Sequence, residues 1–313
     1  MRAAVLHEYA TVPVVEEFAD PVADAAGHLA LDVVAAGMNP VDRAMASGTF
    51  YAGVPDLPCV VGREGVARLP DGGLAYFDAA IPPYGAFAER VLVDPATLIP
   101  IPATLDPAQA IAFGIAGLAG WLALAERARL REGETVLVLG SSGPVGQVAV
   151  QAAGLLGARR VVAAARSEAG LAQAAAQGAD AGVRLGADGW RDALRGAADG
   201  PGFDVVVDPL WGEPAAAALD AMAFQGRLIQ LGQSAGATAV LASAAIRGRM
   251  LEVIGHTNYG IDQAVRRAAY ERMLAHGERG ELSVTVERAG LDALPRVWEQ
   301  QAASPHHKLV VEL

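Results

Sequence analysis

The run Thr135-Val136-Leu137-Val138-Leu139-Gly140-Ser141-Ser142-Gly143-Pro144-Val145-Gly146 is where this chain could do chemistry. A β-branched apolar stretch feeds a glycine-spaced turn, and Val145, Val148, Ala149 and Ala152 then recur at helical spacing, with Gly157 placed to end the helix. Strand, tight turn and helix start together form a phosphate site. The glycines let backbone approach a pyrophosphate, and the first helical N–H groups and the helix dipole face it. Gly140, Ser141, Ser142, Gly143, Pro144, Val145 and Gly146 are therefore the candidate dinucleotide-binding residues. Pro144 has no N–H to donate, but its fixed φ suits a first helical turn.

About 20 positions beyond such glycines, at the end of the next strand, a carboxylate ordinarily binds the ribose hydroxyls and repels a 2′-phosphate. This chain has Ala164-Ala165-Arg166-Ser167 there. Arg166 can make a charge-assisted bond to a phosphate and Ser167 can add a second. NADPH is accordingly expected in preference to NADH. Glu168 carries the competing reading, since it would reach the ribose if the strand ended later.

These residues need elements to hold them. The chain has 313 residues, a length suited to two domains, with 53% hydrophobic and 19% charged residues, enough for a large buried core. A net charge of −11 argues against nucleic acid or an acidic membrane surface as partner. The single cysteine, Cys59, forms no internal disulfide and supplies no structural zinc site, and its expected place is the core. Met1 to Glu8 shows no signal-peptide pattern, so a cytoplasmic setting is expected. The apolar run Ala110–Ala125 falls short of about 20 residues and reads as a buried helix and hinge, not a membrane span.

Short strands broken by turns fill the first hundred residues, among them Leu29–Ala35 and Arg90–Val93, and the prolines there oppose long helices. After the glycine turn, strands are expected at 160–165, 203–208, 227–231 and 251–254, alternating with helices. That alternation predicts a parallel, doubly wound sheet. Beyond Gly260 come a helix, a segment at 282–287, a second helix at 291–302 and a final strand at Lys308–Val311.

The order of these features resembles the medium-chain dehydrogenase/reductase superfamily, and within it the zinc-free quinone oxidoreductase branch. The likeness runs through Met1-Arg2-Ala3-Ala4-Val5, Gly37-Met38-Asn39-Pro40-Val41-Asp42, Leu57-Pro58-Cys59-Val60-Val61-Gly62-Arg63-Glu64-Gly65 and Gly85-Ala86-Phe87-Ala88-Glu89. It resumes at Ala116-Gly117-Leu118, Gly133-Glu134-Thr135-Val136, the glycine turn and Lys308-Leu309-Val310. The resemblance implies an α/β protein with a GroES-like strand-rich barrel domain (1–115 and 261–313) and a doubly wound parallel-sheet Rossmann domain (116–260). It also implies that the nicotinamide and substrate sit in a cleft between them. Gly232 and Ser234, after the fourth strand, and Asn258, after the fifth, are then expected cofactor or cleft contacts. Family members are commonly dimers or tetramers, so a homodimer or homotetramer is expected.

In zinc-dependent relatives a cysteine matches Asn39 and a histidine matches Arg63, so no zinc is expected here. Without that Lewis acid, reduction of a simple ketone would leave an alkoxide unsupported. Addition of hydride to a quinone or an α,β-unsaturated carbonyl spreads the charge, and a few hydrogen-bond donors can hold it. A small-molecule substrate of that class is expected. An enoyl thioester on the same scaffold, or a redox sensor without turnover, are the alternatives. Asn39 is a candidate donor near the substrate carbonyl or the nicotinamide ribose, or a turn residue before Pro40. Asp42 and Glu64, with Arg63 between, suggest a structural ion-pair cluster, with a proton relay as the alternative. Where the branch often has tyrosine this chain has Ala44, so Phe50, Tyr51 or Tyr84 are expected to supply an aromatic wall, with Tyr51 joining Asn39 among the catalytic candidates. Ala119 replaces a frequent threonine, and the segment 65–85 is short for the family.

Overall fold

The computed structural model describes residues 1–313. Its strands, in chain order, are β1 (Arg2–Leu6), β2 (Val14–Glu17), β3 (Leu29–Gly37), β4 (Cys59–Val60), β5 (Glu64–Arg68), β6 (Leu74–Phe77), β7 (Arg90–Val93) and β8 (Ile99–Pro100). Then follow β9 (Thr135–Leu139), β10 (Arg160–Ala165), β11 (Ala181–Arg184), β12 (Phe203–Asp208), β13 (Met222–Gln230) and β14 (Glu252–Gly255), and finally β15 (Val286–Gly290) and β16 (Lys308–Glu312).

The chain divides into two compact units. One comprises Met1–Ile115, Tyr270–Gly280 and Val284–Leu313, the other Ala116–Ala269 and Glu281–Ser283. Residues 261–269 and 281–283 thus cluster with the second unit.

In the first unit β3 is the central strand. It pairs antiparallel with β5 along one edge, and with β7 and then β16 along the other. The β5 edge continues to β6 and β8, and β16 carries β15 in parallel, while β1, β2 and β4 form a separate three-stranded sheet. Phe77, Phe87, Leu294, Val297 and Trp298 fill the core of this unit. Each such burial is worth roughly 1.5–3 kcal/mol relative to exposure.

The second unit holds a six-stranded sheet in the order β11-β10-β9-β12-β13-β14, and every pairing in it is parallel. This is the dinucleotide-binding strand order, and it reverses between β9 and β12. β9 is buried along its whole length because helices cover both faces of a parallel sheet, which is why Thr135–Leu139 reads as an unbroken apolar run. Strand β11 has no such run. Its Ala181-Gly182-Val183-Arg184 buries only Val183, and sequence pattern alone did not find it. Strand β13 begins at Met222, five residues before the expected start, and β15 lies at 286–290, later than the expected 282–287.

Helical conformation runs from Pro107 to Ala128, interrupted at Gly114. By length and composition it suffices to cross a membrane, which corrects the expectation that the run is too short. Its most apolar window is 78% buried in the fold, as a core helix requires.

Candidate functional site

The glycine turn leaves β9 and enters the helix Pro144–Leu155, with Gly143 at the N-cap and Pro144 in the first turn. Its three glycines meet different demands. Gly140 has φ +62°, a conformation that disfavours a side chain. Gly146 packs so closely that a Cβ would collide with the Gly140 carbonyl oxygen and lie 2.6 Å from Ser141 Cα. At Gly143 a Cβ would meet only the Gly140 oxygen at 3.7 Å, so this position faces open space. A tight turn, an open face and a close helix–strand contact are the three glycine roles of a pyrophosphate-binding turn. Ser141 Oγ is buried there without a partner. The carbonyl of Ser142 is held by Gln147 Nε2 at 2.8 Å, which orients the turn from inside the helix.

At the end of β10, Arg166 is exposed, and Ser167 caps the helix Glu168–Ala176 by accepting the Gly170 N–H at 3.1 Å. Glu168 is engaged by Arg184 Nη1 at 3.0 Å, so the carboxylate of the competing reading is already matched by a cation. Arg184, on the unforeseen strand β11, also places its Nε 3.4 Å from the Arg166 carbonyl. Two guanidinium groups therefore flank the end of β10.

Gly232 and Ser234 follow β13. Ser234 donates N–H and Oγ–H to the Pro209 carbonyl at 3.3 and 3.2 Å, and a Cβ on Gly232 would lie 2.5 Å from the same oxygen. Asn258 follows β14, and its Oδ1 sits 3.1 Å from His256 Nε2. Burial presses the His256 pKa down to about 4, so the neutral ring donates from Nε2. All these residues stand at the carboxyl edge of the parallel sheet, where doubly wound folds bind their ligands.

In the first unit, Asn39 is the N-cap of the helix Pro40–Ala46 and is buried. Asn39 Nδ2 donates to the Gly37 carbonyl at 3.3 Å and to Glu64 Oε1 at 2.8 Å, and its Oδ1 accepts from Lys308 Nζ at 2.6 Å. Both donors are committed, so bonding a substrate would require Asn39 to release one of them. Lys308 Nζ also donates to Glu64 Oε1 at 2.6 Å and to the Met38 carbonyl at 3.0 Å, using all three of its protons. Glu64 Oε2 accepts from Tyr76 Oη and from the Ile115 N–H, each at 2.7 Å. Gly37 lies on β3 between the strands of Glu64 and Lys308, and a Cβ there would come within 2.8 Å of Glu64 Oε1 and 3.0 Å of Lys308 Cε. The missing side chain is what lets the two charges meet across the strand.

The ion-pair cluster around Glu64 therefore exists, but its cation is Lys308. Arg63 contributes its backbone N–H to Asp42 Oδ1 at 3.0 Å, while Asp42 Oδ2 accepts the Asn39 N–H at 2.7 Å. Burial pushes the Asp42 pKa up to about 7, with the Glu64 charge adding to the rise, against the pull of the Asn39 N–H and of the Lys308 and Arg63 charges. A pocket of about 90 Å³ opens beside Asp42, Met45, Cys59, Arg63, Pro83 and Tyr84. Cys59 is buried and its thiol pKa is raised by burial to about 11, in keeping with a core role. Tyr51 is 77% exposed, its ring tilted against Phe50, and it does not line this pocket.

Sequence reasoning passed over Lys308, Tyr76 and Asp208. A signal for the first was present: Lys308 is the only lysine among 24 lysines and arginines.

A family model for zinc-binding dehydrogenases matches residues 144–276. Quinone oxidoreductase of Rattus norvegicus is 31% identical over 244 residues, covering 74% of this chain and 73% of that protein. A subunit of the phenolphthiocerol/phthiocerol polyketide synthase of Mycobacterium tuberculosis is 32% identical over 263 residues, 80% of this chain, which spans only 12% of the synthase. Among solved structures, the quinone oxidoreductase of Thermus thermophilus, also determined in complex with NADPH, superposes with a TM-score of 0.83 at 29% identity and full coverage of both chains. The chain belongs to the quinone oxidoreductase-like branch of the medium-chain dehydrogenase/reductase superfamily.

Proposed function

We propose that this protein is an NADPH-dependent, zinc-independent oxidoreductase that reduces quinones or α,β-unsaturated carbonyl compounds. The observation that carries the reading is the division of labour among Gly140, Gly143 and Gly146, which leaves one open backbone face beside a helix start. Arg166, with Arg184 behind it, favours a 2′-phosphate, and Gly232, Ser234 and Asn258 stand on the same edge for the rest of the dinucleotide. When bound, the nicotinamide supplies hydride; the residues of this chain bind, orient and exclude water.

The donor set does not suit zinc. Asn39 and Arg63 stand where a thiolate and an imidazole would be needed, and an ammonium already sits 2.6 Å from both Asn39 Oδ1 and Glu64 Oε1. Asn39 then acts as a positioning residue, its amide held by Lys308 and Glu64, and the open edge of β14 with exposed Val253 supports association with a second copy.

The test is oxidation of NADPH and NADH, followed by absorbance, against a panel of quinones, enones and an enoyl thioester, with and without a chelator. Chelator-resistant turnover with NADPH and a quinone or enone is the expected result. Exclusive use of the enoyl thioester would select the second reading, which the 32% identity to the polyketide synthase favours. Binding of neither cofactor would overturn both.

A further inference from the structure

Three observations meet at the carboxyl end of β12. Asp208 is fully buried, and its Oδ1 accepts the N–H groups of Leu210 at 2.9 Å and Trp211 at 2.8 Å, while Oδ2 has no partner. Trp211 has φ +59° and ψ −161°, a region that only glycine enters without strain. Such strain persists only where the surroundings impose it, and here the Asp208 carboxylate does so.

The strained turn is tied on both sides. Toward β13, the N–H groups of Leu231, Ser234 and Ala235 donate to the carbonyls of Asp208, Pro209 and Leu210 at 3.0, 3.3 and 2.8 Å. Toward β9, Leu210 covers the glycine turn so closely that a Cβ on Gly140 would lie 2.9 Å from Leu210 Cδ2. One carboxylate thus sets a turn that touches the phosphate-binding loop on one side and the Gly232–Ala235 loop on the other.

Strand order says what that turn serves. A dinucleotide lies across the reversal between β9 and β12, with its adenosine half toward the end of β10. Its other half falls over β12 and β13. We infer that Asp208 is a positioning residue for the nicotinamide half of the cofactor, holding the Pro209–Trp211 turn through Oδ1 as a hydrogen-bond acceptor. The inference rests on the cofactor reading above. Burial raises the Asp208 pKa to about 6 against the two N–H bonds, and no ionisable side chain contributes to the shift. What the site uses is therefore an acceptor oxygen, which an amide also provides.

The experiment compares binding of NADPH with binding of adenosine 2′,5′-bisphosphate, a probe that lacks the nicotinamide half, by calorimetry on the full chain. Asp208→Ala is expected to weaken NADPH about tenfold, the worth of a lost buried acceptor, while the bisphosphate binds as to the wild type. Asp208→Asn is expected to restore most of the lost NADPH affinity. Parallel weakening of both ligands, undiminished NADPH binding by Asp208→Ala, or failure of Asn to restore it would each overturn the inference. Should Asp208→Ala not fold, Asp208→Ser, whose shorter side chain withdraws the acceptor from the Leu210 and Trp211 N–H groups, is read in the same way; selective weakening of NADPH supports the inference, and unchanged affinity or equal weakening of both ligands overturns it. A wild-type protein that binds neither probe would instead overturn the cofactor reading.

Discussion

Lys308 Nζ lies 2.6 Å from Glu64 Oε1, two side chains 244 residues apart in the chain and 2% and 0% exposed. The pair is buried but fully satisfied, since every proton of the ammonium and both oxygens of the carboxylate have partners. Everywhere else this chain uses arginine for its cationic side chains. The compact ammonium places its three donors on Met38 O, Asn39 Oδ1 and Glu64 Oε1 beside Gly37, a convergence that a guanidinium, larger and with its donors fixed in one plane, matches less readily.

Removing one partner strands the other. Lys308→Met is expected to destabilise the protein by about 3–5 kcal/mol, and the double variant Lys308→Met with Glu64→Gln by clearly less. Urea unfolding of the two singles and the double gives the coupling. Because Lys308 is the sole lysine, amine-reactive labelling away from the N-terminus reports its protection directly, and native protein should resist it until unfolding.

The glycines of the phosphate turn should separate stability from binding. Gly146→Ala drives a Cβ into backbone that cannot yield, so it should lower the melting temperature sharply. Gly143→Ala finds open space and an ordinary φ of −77°, so its melting temperature should stay near that of the wild type. Its NADPH affinity should nonetheless fall, because the methyl group occupies the face offered to pyrophosphate. Paired thermal melts and binding isotherms distinguish the two.

Cofactor choice should follow Arg166. Loss of one charge-assisted bond is worth about 1.5–3 kcal/mol, so Arg166→Ala is expected to weaken NADPH by roughly tenfold to a hundredfold. NADH binding should change little. Equal losses for both cofactors would assign Arg166 to the surface instead.

Stability should carry the mark of two buried carboxyls. Burial lifts Asp42 to about 7 and Asp208 to about 6, both above their value in the unfolded chain. Between pH 4 and 7 the folded state therefore holds more protons than the unfolded state at these positions, and their contribution to stability falls as pH rises. Asp208→Asn has no proton to lose there. Its stability relative to wild type should improve from pH 4 to pH 6 and then level off, as read from unfolding free energies at each pH.

Much of the second unit was legible because its signals are local. Thr135–Leu139, Arg160–Ala165 and Phe203–Asp208 are strands with the expected ends, since a strand buried on both faces needs an apolar run bounded by turn residues. Strand β11 escaped because a sheet-edge strand that buries only Val183 leaves no such run. In the candidate site, Asn39, Asp42 and Glu64 do lie together, and the cation paired with Glu64, Lys308, comes from the far end of the chain, where no local pattern points to it.

What the sequence determined by itself was the glycine turn, the alternation of strand and helix around it, and the basic residue beyond β10, all written within about 30 consecutive positions. Only the tertiary structure decided that Lys308 answers Glu64, that Arg184 pairs with Glu168 and that Asp208 accepts from a strained turn. Local patterning selects an element by its period and its end signals. Which side chains then share a buried space depends on which strands become neighbours, and β16 pairs with β3 from the opposite end of the chain.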